Sequence, residues 1–138
     1  LWSSYQSLQK LIPKYDLLIT VDCGITALDE VDYAKDKIDM IITDHHLPRE
    51  ILPDAFAIIN PTQTQCNYPN KNLCGVGVAF KLCQGLYQSL NKDIHELENY
   101  LDIVALGTIA DIVPLVDENR RIVKKGLANY SKLRYKKL

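Results

Sequence analysis

Two short apolar runs end in the same way, and that likeness constrains the chain more than anything else in it. Leu17-Leu18-Ile19-Thr20-Val21 runs into Asp22-Cys23-Gly24, and Met40-Ile41-Ile42-Thr43 runs into Asp44-His45-His46. Short apolar, β-branched runs closed by polar residues read as buried strands. Between them Thr26 can cap a helix, with Asp29 following, and Leu28, Val31, Ala34 and Ile38 keep a helical stripe to about residue 38. Residues 17–43 are thus expected to form one β-α-β unit with parallel strands and a right-handed crossover. The expected fold class is α/β: a parallel β-sheet flanked by helices, incomplete at its N-terminus, followed by a helical C-terminal part.

Function attaches to the strand ends. In open α/β sheets ligands bind at the carboxyl edge of the strands. Adjacent parallel strands lie about 4.8 Å apart, so Asp22 and residues 44–46 should project from one edge within reach of a shared metal. Two carboxylates side by side repel unless something cationic joins them. The plainer alternatives are that Asp22 caps the turn at Gly24 and that Asp44-His45-His46 is an ordinary polar loop.

The rest of the chain reads as alternating helices and loops. Trp2, Tyr5, Leu8, Leu11 and Ile12 have helical spacing, stopped by Pro13. Ala55 to Ile59 reads as a third strand closed by Asn60-Pro61, and residues 62–73 as a polar loop. A helix then opens at Leu73 to Phe80, with Ala79, Leu82, Cys83, Leu86 and Leu90 as its buried face. Gly75 and Gly77 at its start could offer backbone N–H groups to a phosphate, or simply allow close packing. Asp93 and Glu96 have capping-box spacing, and Leu97, Leu101, Val104 and Ala105 form the next stripe. Asp111 lies among apolar residues, where a carboxylate is costly unless paired or bound to a cation; its alternative is a cap for the turn at Pro114. Asp102 is expected to be partly buried. Asp117 caps a last helix with Ile122, Val123, Leu127 and Tyr130 on one face. Lys124, Lys125, Arg134, Lys136 and Lys137 make the end basic: a solvated face, or a phosphate contact.

Composition excludes little. With 138 residues, 47% hydrophobic and 24% charged, the chain can build a real core. Its formal charge of −1 neither supports nor excludes nucleic acid. No apolar run approaches the ~18 residues of a membrane span, and no signal peptide is visible at Leu1-Trp2-Ser3-Ser4. Cys23, Cys66, Cys74 and Cys83 make no C-x-x-C pair, so reduced thiols and a cytoplasmic location are expected. The chain does not begin with Met, and a piece of something longer is expected.

Asp44-His45-His46 after an apolar strand resembles the motif that names the DHH phosphoesterases. Leu17 to Gly24 (LLITVDCG) is similar to that family's second motif, and Gly107 to Leu115 (GTIADIVPL) to its fourth. The stretch from Ile59 to Leu82 (INPTQTQCNYPNKNLCGVGVAFKL) resembles the RecJ-type single-stranded-DNA exonucleases within the superfamily. The resemblance implies a hydrolase active in DNA repair and recombination, releasing nucleotides from the 5′ end of single-stranded DNA. It implies two Mn²⁺ ions, with Mg²⁺ as the alternative, that together lower the pKa of a water and neutralise phosphate charge. By resemblance Asp22 bridges the metals, and His45 and Asp111 are further ligands. His46 contacts the scissile phosphate and Asp44 orients a neighbouring ligand; these two are the catalytic candidates. Gly75 and Gly77 match the family's glycine-rich turn at the active-site side, as candidates for phosphate or substrate binding.

Two departures stand against the likeness. The family's first motif, an Asp-x-Asp pair on an earlier strand, has no match between Leu1 and Asp22. The C-terminal substrate-binding domain with its glycine-histidine motif is also missing. Residues 1–138 therefore read as a partial DHH catalytic domain, about 1–61 the sheet portion and about 74–138 the mainly helical portion, inactive or nearly so alone. The rivals are a small-substrate phosphodiesterase of the same fold, oligoribonuclease-like, and a degenerate non-catalytic DHH scaffold.

Overall fold

The computed structural model describes residues 5–128. The chain divides into two compact units, Leu1–Asn67 and Tyr68–Leu138. The first contains α1 (Tyr5–Leu11), a 3₁₀ turn (Ile12–Lys14), β1 (Leu17–Val21), α2 (Leu28–Ala34), β2 (Asp39–Thr43) and β3 (Ala57–Ile59). The strands form one sheet in the order β1-β2-β3, all parallel. Leu17 pairs with Asp39 and Val21 with Thr43, so β1 and β2 end level with each other. The ladder continues past both ends: the Asp22 N–H donates to Thr43 O (2.9 Å) and the Asp44 N–H to Ile59 O (3.1 Å).

The alternation of the strands decides what is buried. Met40 and Ile42 turn towards Val31 and Ala34 of α2 and towards Ile38, with Leu18 and Ile58 beside them. Each large side chain buried there adds about 1.5–3 kcal/mol. The other face of β1, formed by Leu17, Ile19 and Val21, is largely exposed.

Helix α2 departs from the sequence expectation. It begins at Leu28 after Ala27, with no side-chain cap from Thr26, and it ends at Ala34. The reason lies in the turn before it: Ala27 N–H bonds to Gly24 O (3.0 Å), and the Ile25 N–H is taken by Asp44. The third strand is shorter than expected, because Ala55 sits in a turn, its N–H bonded to Pro53 O.

The second unit contains α3 (Gly75–Ser89), a 3₁₀ segment (Ile94–Tyr100), α4 (Leu101–Ala110) and α5 (Asp117–Ala128). Its core is Phe80, Leu97, Leu101, Val104 and Ile122, with Val76, Tyr87 and Ile94 packed against it. Helix α3 thus buries Val78 and Phe80 rather than the expected stripe: Cys83, Leu86 and Leu90 are exposed. Asp93 does cap the next segment, accepting from His95 N–H at 2.9 Å, although that segment is 3₁₀. Asp102 is buried and accepts from the Ile103 N–H. On α5, Ile122 and Val123 are buried while Leu127 is half-exposed. Asp117 is the first residue of α5 and has positive φ. Asn119 is fully buried, donating to Asn72 O (2.7 Å) and Pro114 O (3.0 Å), which ties two loops to α5. Tyr130, Arg134, Lys136 and Lys137 lie outside the described residues.

Candidate metal centre

The level ends of β1 and β2 bring Asp22, His45 and His46 together in the first unit. One ligand atom from each lies within 4.8 Å of the others. His45 Nε2 is 3.0 Å from Asp22 Oδ1. The side chains of Asp22 and His46 are 54% and 60% exposed, whereas that of His45 is 14% exposed. The His45 and His46 rings are tilted to each other with centroids 4.5 Å apart. Asp22 adopts φ 64°, the left-handed region that a non-glycine residue rarely occupies away from functional or turn positions.

Asp44 organises this cluster from beneath. It is 1% exposed and takes four hydrogen bonds. Its Oδ2 accepts from Ile25 N–H (3.0 Å). Its Oδ1 accepts from His45 N–H (2.8 Å), His46 N–H (3.2 Å) and the His46 ring at Nδ1 (2.7 Å). Burial pushes the Asp44 carboxyl up, but bonds from Ile25, the His46 ring, and the His46 and His45 N–H groups outweigh it and hold it below the usual carboxylate range. A carboxylate can only accept, so the His46 ring donates from Nδ1. The expectation that a cation joins Asp22 to Asp44 is therefore corrected. Asp44 has its charge met by hydrogen-bond donors, and the shared site pairs Asp22 with two imidazoles.

Further polar links frame the cluster. Thr43 Oγ1 donates to Thr20 O (2.6 Å) and Thr20 Oγ1 to Cys23 O (2.7 Å), fixing the turn after β1. After β3, Asn60 Nδ2 and Thr62 Oγ1 each lie 2.9 Å from the His46 carbonyl. Sequence reasoning missed Asn60 and Thr62. The available signal was Asn-Pro-Thr, an Asn whose side chain can accept from the N–H two residues on, as it does here at 2.8 Å.

The remaining candidates belong to the second unit. Gly75 and Gly77 are buried in the first turn of α3, whose N-cap, Cys74, supplies no side-chain cap. A Cβ on Gly77 would sit 3.3 Å from Leu73 Cδ2, so close packing is one of its uses. Asp111 is exposed at the C-cap of α4, its N–H bonded to Gly107 O. The expectation of a carboxylate held in apolar surroundings is corrected: Ile112 takes φ 57° and turns the chain outward, leaving Ile112 itself 89% exposed.

The donor set suits a divalent ion: one carboxylate and two imidazoles supply hard and borderline ligands. Such a cluster at the carboxyl edge of a parallel sheet makes this α/β fold a candidate divalent-metal centre. The chain belongs to the DHH family: the profile of the DHH family, N-terminal domain, matches residues 2–108. It is 52% identical over 114 residues to the single-stranded-DNA-specific exonuclease RecJ of Bacillus subtilis, covering 82% of this chain and 14% of that protein. Against RecJ of Escherichia coli the identity is 46% over 122 residues, covering 81% and 21%. The chain therefore spans about a seventh to a fifth of the length of these curated relatives. A crystal structure of exonuclease RecJ bound to manganese superposes with a TM-score of 0.80 at 35% identity, over 91% of this chain and 32% of that one. RecJ of Thermus thermophilus in complex with Mn²⁺ gives 0.81 at 32% identity, over 94% and 19%. The α/β architecture is that of these RecJ structures. No helix among the described residues is long and apolar enough to cross a membrane.

Proposed function

We propose that this chain is part of the catalytic domain of a metal-dependent exonuclease that hydrolyses single-stranded DNA from its 5′ end, in repair and recombination in the cytoplasm. The observation that carries the reading is the convergence of Asp22, His45 and His46 above a buried Asp44. It is supported by the likeness to proteins named as single-stranded-DNA-specific exonucleases and to structures bound to manganese.

Asp22 and His45 would hold Mn²⁺, or Mg²⁺ in its place, and Asp111 is a further ligand in this reading. The metal, when bound, supplies activation of water and neutralisation of the charge that builds on the phosphate. His46, its ring held by Asp44 at Nδ1, is the contact to the scissile phosphate in this reading. The N–H groups at Gly75 and Gly77 open a 15-residue helix and are suited to a phosphate oxygen. Helix α5 turns Arg120, Arg121, Lys124 and Lys125 to solvent, a cationic face suited to a phosphate backbone.

A complete two-ion centre needs more donors than Asp22, His45, His46 and Asp111 provide. The 138 residues alone are therefore expected to hydrolyse DNA weakly or not at all. The test follows nucleotide release from 5′-labelled single-stranded DNA by a full-length protein carrying this domain, with Mn²⁺, beside Asp22→Ala and His45→Ala variants. Mn²⁺-dependent release lost in both variants supports the reading. Release unaffected by either variant would overturn it, and preference for dinucleotides would favour the small-substrate rival.

A further inference from the structure

We propose that Asn60 and Thr62 are positioning residues for His46, holding the backbone of the loop so that an exposed imidazole keeps one orientation. The inference rests on the metal-site reading for its functional consequence, but its geometry stands apart from any metal.

His46 has little packing to fix it, since its side chain is 60% exposed. An exposed ring that must meet a ligand in one pose has to be ordered by hydrogen bonds, or its ordering entropy is charged against binding. Asp44 supplies two of these bonds, at the His46 N–H and at Nδ1. Both act on the N-terminal side of the residue and on the ring. The C-terminal side is held by the His46 carbonyl, which has Asn60 Nδ2 and Thr62 Oγ1 each at 2.9 Å. With Asp44 N–H on Ile59 O, the Asp44-His45-His46 tripeptide is strapped to β3 and its turn at both ends.

The chemistry of Asn60 shows that this is more than turn closure. Asn60 is 2% exposed, and a buried amide is costly unless its groups are bonded. Closing the turn after β3 needs only Asn60 Oδ1, which accepts from Thr62 N–H at 2.8 Å. The Nδ2 donor is left over for the turn, and it reaches 14 residues back in sequence to His46. Thr62 Oγ1 also lies 2.7 Å from Asn60 Oδ1, and its single proton serves either that oxygen or the His46 carbonyl. Asn60 Nδ2 is therefore the constant donor, and Thr62 is the auxiliary one.

Asn60→Asp is the sharp probe. It keeps the volume and the acceptor that closes the turn, but it replaces the donor by an oxygen facing the His46 carbonyl. Long-range ¹H–¹⁵N spectra of the metal-free chain resolve its three histidines, with His95 of the second unit as the internal control. In the wild type, His46 should show a single Nδ1-protonated ring. In Asn60→Asp with its circular dichroism retained, that ring should broaden or show mixed tautomers while His95 stays unchanged. Mn²⁺ affinity should fall by about tenfold or more, the usual cost of losing an outer partner of a metal site. Thr62→Val should shift the same ring signals less, and it carries the test if Asn60→Asp does not fold. Unchanged His46 signals in both variants would overturn the proposal, as would unchanged Mn²⁺ affinity in a folded Asn60→Asp. A wild type that binds no Mn²⁺, with His46 still disturbed in Asn60→Asp, would refute the metal reading and leave the clasp standing.

Discussion

Replacing Asp44 by Asn removes one charge and little volume, so the structure fixes the consequence closely. The carboxylate accepts from four donors, three on Oδ1 and one on Oδ2. An Asn keeps one acceptor oxygen. Its best pose leaves that oxygen at the Oδ1 position and sets the amide NH₂ against the Ile25 N–H, two donors face to face at a fully buried position. An unsatisfied buried donor costs about 1–3 kcal/mol, and three charge-assisted bonds reduced to neutral ones lose roughly 0.5–1 kcal/mol each. The total is about 2.5–6 kcal/mol. Urea unfolding followed by circular dichroism measures it, and a loss below about 1 kcal/mol would refute the reasoning. The same residue sets a pH dependence. Its carboxyl is held below the ordinary range, so its contribution is fully present above the unfolded-state pKa. The contribution is lost as pH falls from there through the lower folded value. Asp44→Asn should flatten that part of the acid limb; an unchanged acid limb would count against Asp44 as its source.

Other perturbations follow from the same geometry. Gly24 has φ 114°, and a Cβ there would lie 3.0 Å from Thr20 Oγ1 and 3.2 Å from Ile42 Cγ2. Gly24→Ala should cost about 1–3 kcal/mol in thermal or urea unfolding. A Cβ on Gly126 would run into the Leu101 carbonyl and Ala105 Cβ. Gly126→Ala should therefore force α5 off α4 at a cost of about 1–3 kcal/mol or more, read as a lowered melting temperature. Ile112 runs the other way: a β-branched residue at φ 57° with its side chain in water carries strain that glycine would relieve. Ile112→Gly should be neutral or stabilise by up to about 1 kcal/mol, and a marked loss of stability in urea would show that the side chain has packing to lose.

The sheet and the polar cluster at its edge were legible because β-branched runs have few alternatives. Leu17–Val21 and Met40–Thr43 could hardly be anything but parallel strands, and their common Asp ending put Asp22 and Asp44 at one edge, although one face of β1 is exposed rather than buried. Helix α3 was misread because it carries two apolar stripes. Val76, Phe80 and Tyr87 compete with Ala79, Leu82, Cys83, Leu86 and Leu90, and only the partner helices decide which is buried. Asp111 was placed in apolar surroundings because its neighbours in sequence are apolar, yet an exposed chain end of α4 follows from a backbone turn at Ile112. What holds Asp44 was hidden in the sequence, since three of its four donors are backbone N–H groups. Asn60 and Thr62 were invisible for the same reason: they act on a carbonyl, and a sequence does not print where a carbonyl points.

The central claim is that Asp22 and His45 hold a divalent metal beside His46. Isothermal titration of Mn²⁺ into the purified chain, alongside Asp22→Ala, tests it most directly. Binding in the wild type that disappears in the variant is the expected result. Absence of binding in the wild type, or equal binding in both, would contradict it.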